Sequence, residues 1–509
     1  MACTTLLVGK KASYDGSTIM ARNEDTPNGM FNVKKMIVVQ PEDQPRYYRS
    51  VCSHVEVELP GDPMRYTNIP DATRGAGVWG EAGVNEKNVA MTATETITTN
   101  PRVLGADPYV ELKKAVGKEG DADYQPEVAG GIGEEDLVTI VLPYIKTARE
   151  GVERLGALLE QYGTYEPNAI GFSDADEIWW LETIGGHHWM AKRVPDDCYV
   201  TMPNQLGIDD FDLEDAFGEQ KDHMCSADLR EFIVDNHLAV SVDGDSDHFN
   251  PRDVFGSRTD TDHVYNTPRA WFMQRYLNPY DEDWDSPEAL HTPESDDIPW
   301  ARQPERKVTI EDVKYCMNGH YNRTPYDCYG DKGNEQSRHR YRTIGINRTS
   351  ELSVLQIRPY APEAYRAIQW VALGSNPFNT LVPVYTNIDV TPEYLSGARD
   401  LVTTDYLYWS DRLIAALADA HYNDNLSAIE NYQQTTLAFG HENIRLTDAE
   451  LAAKGRDSAG MDDVEIHRAL EAANQKECDF LKKQTDALLH SVLYTAAMHM
   501  KNGFFLSDN

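Results

Sequence analysis

Short runs of strand-forming residues open the chain. CTTLLVG and STIMARN flank the turn-forming Tyr14-Asp15-Gly16, and VAMTATETIT follows a turn at 80–88, so the first third reads as β-rich. The period then changes. Over 147–162, Val152, Leu155, Leu158 and Leu159 recur at helical spacing and predict a helix. From 169 to 202 the strand pattern returns as a hairpin through Gly185-Gly186 followed by a third strand. SVLQIRP, AIQWVAL and LVPVYTNI predict further strands, and the part from about 402 onward is mostly helical, through LYWSDRLIAALADAHY and IHRALEAANQKECDFLKKQTDALLHSVL. Strand blocks and helix blocks are segregated rather than alternating, which predicts α+β layers instead of a doubly wound parallel sheet. The Asp-rich segments 207–262 and 280–306 are expected to be acidic surface loop insertions.

Composition narrows the partners. The 509 residues are 41% hydrophobic and 10% aromatic, enough for a sizeable core. Lys and Arg total 47 against 83 Asp and Glu, a net charge of −36. A nucleic-acid surface needs clustered cations, and an anionic membrane would repel this chain, so neither is expected as a partner. No apolar stretch approaches the roughly 20 residues of a membrane helix. MACTTLLVGKK places its lysines after the apolar run, the reverse of a secretory signal. The seven cysteines are odd in number and scattered, which suits a reducing compartment, so a cytoplasmic location is expected.

Several chemistries leave no trace: there is no phosphate-binding loop, no dinucleotide fingerprint, no HExxH and no cysteine pair at metal spacing. His187-His188 is the only histidine pair. Neighbours on a strand face opposite ways, so the two read as ordinary hairpin residues, and no metal or cofactor is expected.

Cys3 is the remaining candidate. Loss of Met1 and Ala2 would expose its α-amine. A thiol of pKa about 8.5 beside an α-amine of about 7.7–8.0 gives nucleophile and general base in one residue. Position alone is a weak signal, since a cysteine near a terminus is more often a small buried hydrophobe. Ala21-Arg22-Asn23-Glu24-Asp25 changes the balance, because it ends the strand expected to pair with the first. A two-residue turn at Asp15-Gly16 would put Arg22 opposite Gly9, about 20 Å from Cys3. A wider loop from Gly9 to Gly16 would put Val8 opposite Ser17 and Cys3 opposite Arg22, and catalysis requires this second register.

With these residues in place the sequence resembles the dipeptidase branch (dipeptidase A type) of the N-terminal nucleophile cysteine hydrolases, relatives of penicillin V acylase and bile salt hydrolase. The motifs are CTTLLVGKKASYDGSTIMARNED, GVNEKNVAMTATET, GIGEEDLVTIVLPYI, YVTMPNQLGI, VYNTPRAWFMQRYLNP, YNRTPYD, TIGINRTSELSVLQIRP and WVALGSNPFNT, which span nearly the whole chain. The resemblance implies a four-layer αββα sandwich in one catalytic domain, 3–509, and a homo-oligomer. Cys3 matches the nucleophile, and Arg22 and Asp25 match the residues that polarise the thiol and orient the amine. Asn204, in MPNQ, resembles the oxyanion donor, a contribution of roughly 3–4 kcal/mol. Arg269 matches an arginine near the nucleophile. Where bile salt hydrolases carry an asparagine, Glu95 stands here. An ionised carboxylate cannot donate to an oxyanion but suits the ammonium of a free peptide terminus. Glu95 and Asn23 are therefore assigned to substrate binding. The implied reaction is dipeptide hydrolysis through a thioester on Cys3, with small peptides as substrates. The rivals are an acylase on N-acyl amides and a secernin-like scaffold without catalysis.

Overall fold

In the computed structural model, residues 2–27, 29–73, 75–241, 247–457 and 462–501 are described. Two antiparallel sheets organise the chain. In the seven-stranded sheet, β1 (Ala2–Val8) and β2 (Thr18–Asp25) lie side by side near the centre. β1 is flanked by Tyr199–Met202 and then Ala301–Arg302, and β2 by Thr349–Ile357, Ala367–Leu373 and Val382–Tyr385. The six-stranded sheet runs His223–Cys225, Trp189–Arg193, Ile178–Thr183, Ala169–Ser173, Ala90–Thr92, Ala82–Val84. Mixed helices and antiparallel sheets make the fold α+β, as the segregation of strand and helix blocks requires.

The β1–β2 register corrects the expected one. Cys3 pairs with Glu24, Thr5 with Arg22, and Val8 with Ile19, so the connecting loop is two residues wider than the pattern gave. The reason lies in the neighbouring connection. Gly9 N–H donates to Cys198 O at 2.9 Å, and Lys11 and Ala12 donate to Asp196 O at 2.7 and 3.1 Å. A side chain at Gly9 would come within 2.5 Å of the Asp196 and Pro195 carbonyl oxygens. The loop is thus drawn over 195–198 and takes up the extra residues. A slip of two keeps each side chain on its own face, whereas a slip of one would have turned Arg22 away from Cys3.

Alternation then sorts the core. Leu7, Met20 and Leu355 face Trp180, Ala169 and Met190 of the other sheet in one buried cluster. Leu6, Ala21 and Trp370, on the opposite face, pack against Trp271, Leu407 and Leu470, which lie in the helices Thr267–Leu277, Leu407–Ala418 and Asp463–Met498. The outer face of the six-stranded sheet, with Phe172 and Trp179, is covered by Val152 and Leu155 of the helix Ala148–Tyr162. That helix begins where its hydrophobic spacing predicts. The Thr147 hydroxyl caps it by accepting from Glu150 N–H at 3.1 Å, and Gly163, at φ 67°, ends it.

The acidic segment 207–262 holds more than loops. It supplies the edge strand His223–Cys225 and several short helices, although 242–246 lie outside the described residues. In 280–306 the described regular structure is the two-residue strand Ala301–Arg302.

His187 and His188 lie in the turn before the strand Trp189–Arg193, not on it, and this brings both rings to one carboxylate. Asp107 accepts from the two backbone N–H groups at 2.7 and 3.0 Å and meets the two Nδ1 atoms at 3.1 and 2.7 Å. Burial works against the Asp107 charge, but these donations from His188 and His187 outweigh it and hold the carboxyl well below its ordinary range. A carboxyl depressed in the folded state stabilises above its unfolded pKa of about 3.9 and loses that contribution as pH falls through the folded value. Asp107→Asn should therefore lower the melting temperature at pH 7. The gap from the unsubstituted protein should close as pH is taken below about 4, which thermal melts across pH will measure.

Candidate active site

Cys3, Thr5, Arg22 and Glu24 project from β1 and β2 into the space between the sheets, and all four are fully buried. Arg22 is a diagonal neighbour of Cys3 and donates from Nη2 to Cys3 Sγ at 3.0 Å. Its other N–H groups reach Glu134 Oε1 at 2.6 Å, Glu81 Oε2 at 2.5 Å and, from Nε, Thr94 O at 2.8 Å. Lys34 completes the cluster, with Nζ 2.6 Å from Glu81 Oε1 and 2.7 Å from Asp71 Oδ1. Two cations, Arg22 and Lys34, are thus enclosed with four glutamates, Glu24, Glu81, Glu134 and Glu351, and all six are 0% exposed.

That ratio dictates the protonation states. Glu81, bonded to both cations, stays below its ordinary pKa because Lys34 and Arg22 outweigh the cost of burial. Burial pushes Glu134 and Glu351 up to about 8 and raises Glu24 well above the carboxylate range. Burial is also the largest influence on Cys3. It raises the thiol well above its ordinary value, with Arg22 pulling it down and Glu134 and Glu95 adding to the rise. Burial thus favours the neutral thiol of the nucleophile candidate. The arginine contact alone does not make it a thiolate.

A second group surrounds the carbonyl side of Cys3. Arg269, fully buried, donates from Nη1 to Cys3 O and, at 2.6 Å, to Thr4 Oγ1. From Nη2 it reaches Asn204 Oδ1 at 2.8 Å. Burial and the nearby Arg342 lower the Arg269 guanidinium to about 10. Asn204 Nδ2 donates to Glu95 Oε1 at 3.0 Å and Thr96 O at 2.9 Å, and Thr5 Oγ1 donates to Glu95 Oε2 at 2.8 Å. Burial raises Glu95 to about 7. Cys3, Arg22, Glu95, Asn204 and Arg269 are therefore brought into one connected group.

Asp25 and Asn23 lie on the opposite face of β2. Asp25 takes Arg342 on one oxygen and Thr349 Oγ1 on the other, at 2.5 Å. Its backbone pairs with Ala2, one rung from Cys3. Asn23 accepts from Asn376 Nδ2 at 2.6 Å and donates to Met317 O at 3.3 Å, so the structure does not bring its side chain to the thiol.

Sequence reasoning passed over Glu24, Lys34, Glu81, Glu134, Arg342 and Glu351. Glu81 and Glu134 flank or lie in the GVNEKN and GIGEED motifs, which were the available signal.

The model of Peptidase family C69 matches residues 2–435. A protein named dipeptidase from Bifidobacterium longum (strain NCC 2705) is 60% identical over 539 aligned positions, covering 100% of both chains. A probable dipeptidase A of Streptococcus pyogenes serotype M3 (strain SSI-1) is 53% identical, again over 100% of both. Dipeptidase A of Lactobacillus helveticus is 42% identical over 96% of this chain and 95% of its own.

Arg22→Met would leave Glu81 and Glu134 without their guanidinium. It should cost about 3–5 kcal/mol in denaturant unfolding, as breaking buried ion pairs does, and adding Glu81→Gln with Glu134→Gln should recover part of the loss.

Proposed function

The chain belongs to peptidase family C69, and from that premise we propose that it cleaves dipeptides through a thioester on Cys3, exposed by removal of Met1 and Ala2. The protein is a peptidase acting on dipeptides, and its substrates are small peptides. In the proposed cycle the freed Cys3 amine takes the thiol proton as Sγ attacks the scissile carbonyl. The amine then passes that proton to the departing amino acid, and water releases the acyl half. The observation that carries this reading is Arg22 Nη2 at 3.0 Å from a thiol at the start of a central strand. Of the side chains around the thiol, Arg22 is the one whose charge favours the thiolate that the attack needs.

Asn204 is the proposed oxyanion donor. Arg269 on its Oδ1 dictates that the amide presents Nδ2, and a substrate oxygen would replace Glu95 as that group's acceptor. Arg269 positions Asn204 and the Cys3 backbone. Asp25, gripped by Arg342 and Thr349 one rung from Cys3, is the proposed orienter of the amine. Glu95 is assigned to the substrate side of the pocket, and Asn23 to support beneath β2 through Asn376.

Three buried clusters, one between the sheets and one on each outer face, support an αββα four-layer sandwich of N-terminal nucleophile type in a single domain. No described helix is long and apolar enough to cross a membrane. A cytoplasmic location is proposed on the seven free cysteines, and homo-oligomerisation on the family resemblance.

Cys3→Ala should reduce dipeptide turnover by at least about a thousandfold while the melting temperature holds, and full activity in that variant would refute the mechanism. N-terminal sequencing of active enzyme should begin at Cys3. Activity residing in chains that keep Ala2 would overturn the maturation step.

A further inference from the structure

Among the described residues, neither carboxylate oxygen of Glu24 accepts a hydrogen bond, and Glu351 Oε1 also has no partner. Both side chains are 0% exposed. Lys34 Nζ stands 3.9 Å from Glu24 Oε1, too far to bond it. A buried polar atom without a partner carries its full desolvation cost, so three such oxygens side by side mark a place made for donors that the protein does not supply.

Their position identifies the donor. Glu24 is the cross-strand partner of Cys3, and Glu351 is the cross-strand partner of Glu24, so the three form one row on the face between the sheets. Directly opposed residues have Cβ atoms about 4.5–5.5 Å apart. In a dipeptide the α-nitrogen lies only about 2.5 Å from the scissile carbonyl carbon. A carbonyl held at Cys3 Sγ therefore puts the substrate's amino group beside the neighbouring side chain in the row. The other carboxylates are engaged: Glu95 by Thr5 and Asn204, Glu81 by Arg22 and Lys34, and Glu134 by Arg22. An ammonium group offers three N–H donors.

We propose that Glu24, with Glu351 beside it, receives the α-ammonium group of the substrate and so selects free-amine dipeptides over N-acyl amides. This rests on the reading in which Cys3 is the nucleophile. Removing the two residues before Cys3 takes away the Ala2–Asp25 rung and makes Cys3–Glu24 the last pair of the β1–β2 ladder. An N-acyl amide carries no amino group at that position and would leave all three oxygens unbonded.

The test compares alanyl-alanine with propionyl-alanine, which differs only in lacking the amino group, on the processed enzyme. The ratio of their kcat/KM values should strongly favour alanyl-alanine. Glu24→Gln should lower that ratio at least about tenfold, with the loss falling on KM for alanyl-alanine, as removal of a charge-assisted hydrogen bond does. Where propionyl-alanine turns over too slowly, its inhibition constant replaces its KM. An unchanged ratio overturns the proposal, and so does an equal loss on both compounds, which would assign Glu24 to the nucleophile instead. If Glu24→Gln shows no cooperative melt, Glu24→Asp answers the same question by the same ratio. Cys3→Ala is run alongside. Retained alanyl-alanine hydrolysis there would sink the cysteine mechanism itself, independently of what position 24 does.

Discussion

A guanidinium sealed between two sheets needs acceptors for the N–H groups it carries, and Arg22 finds four of them in separate parts of the chain. The sulfur of Cys3, the carboxylates of Glu81 and Glu134, and the carbonyl of Thr94 all converge on it. Take the arginine away and Glu134 loses its guanidinium while Glu81 is left with Lys34 alone as its cation. The two sheets are thus registered on each other by hydrogen bonds as well as by the packing of Met20 and Leu7 against Trp180. The nucleophile candidate is one of the acceptors, so its place is fixed by the same contacts that hold the layers together.

The excess of acid in that space is a second constraint. With two cations enclosed among four glutamates, the low dielectric cannot sustain every negative charge, and burial keeps part of the set protonated. Such a pocket is primed for positive charge. An incoming cation is better received there than a neutral amide, whatever the reaction that follows.

Much of this was legible along the chain, for reasons that differ by element. The helix Ala148–Tyr162 announces itself through apolar spacing, a threonine cap and a terminal glycine, all local features. Strands β1 and β2 were equally plain, and the register that set Cys3 opposite Arg22 put them on one face even though it was off by two. What set the true register was the contact of Gly9 and Lys11 with residues 195–198, which no local pattern contains. Arg22 was found because it lies beside the cysteine strand. Lys34, Glu81, Glu134, Arg342 and Glu351 were missed because a buried carboxylate or cation looks in sequence like any surface charge. The His187-His188 pair shows the same limit: alternation applies on a strand, and these residues precede it.

The grip of Arg269 and Arg342 on the first turn of the site has a temporal meaning. Arg269 holds Cys3 O and Thr4, and Arg342 holds Asp25, yet these arginines lie 266 and 317 positions from their partners. At about 5–20 residues per second, a ribosome delivers Arg342 roughly 15–70 s after Cys3. Until the end of that interval the strand that bears the cysteine lacks Arg342, for most of it Arg269 as well, and throughout it the strand Thr349–Ile357 on the far side of β2. A nascent chain therefore carries the thiol well before the side chains that frame it, and the group around Cys3 can close only after about two thirds of the 509 residues have been made.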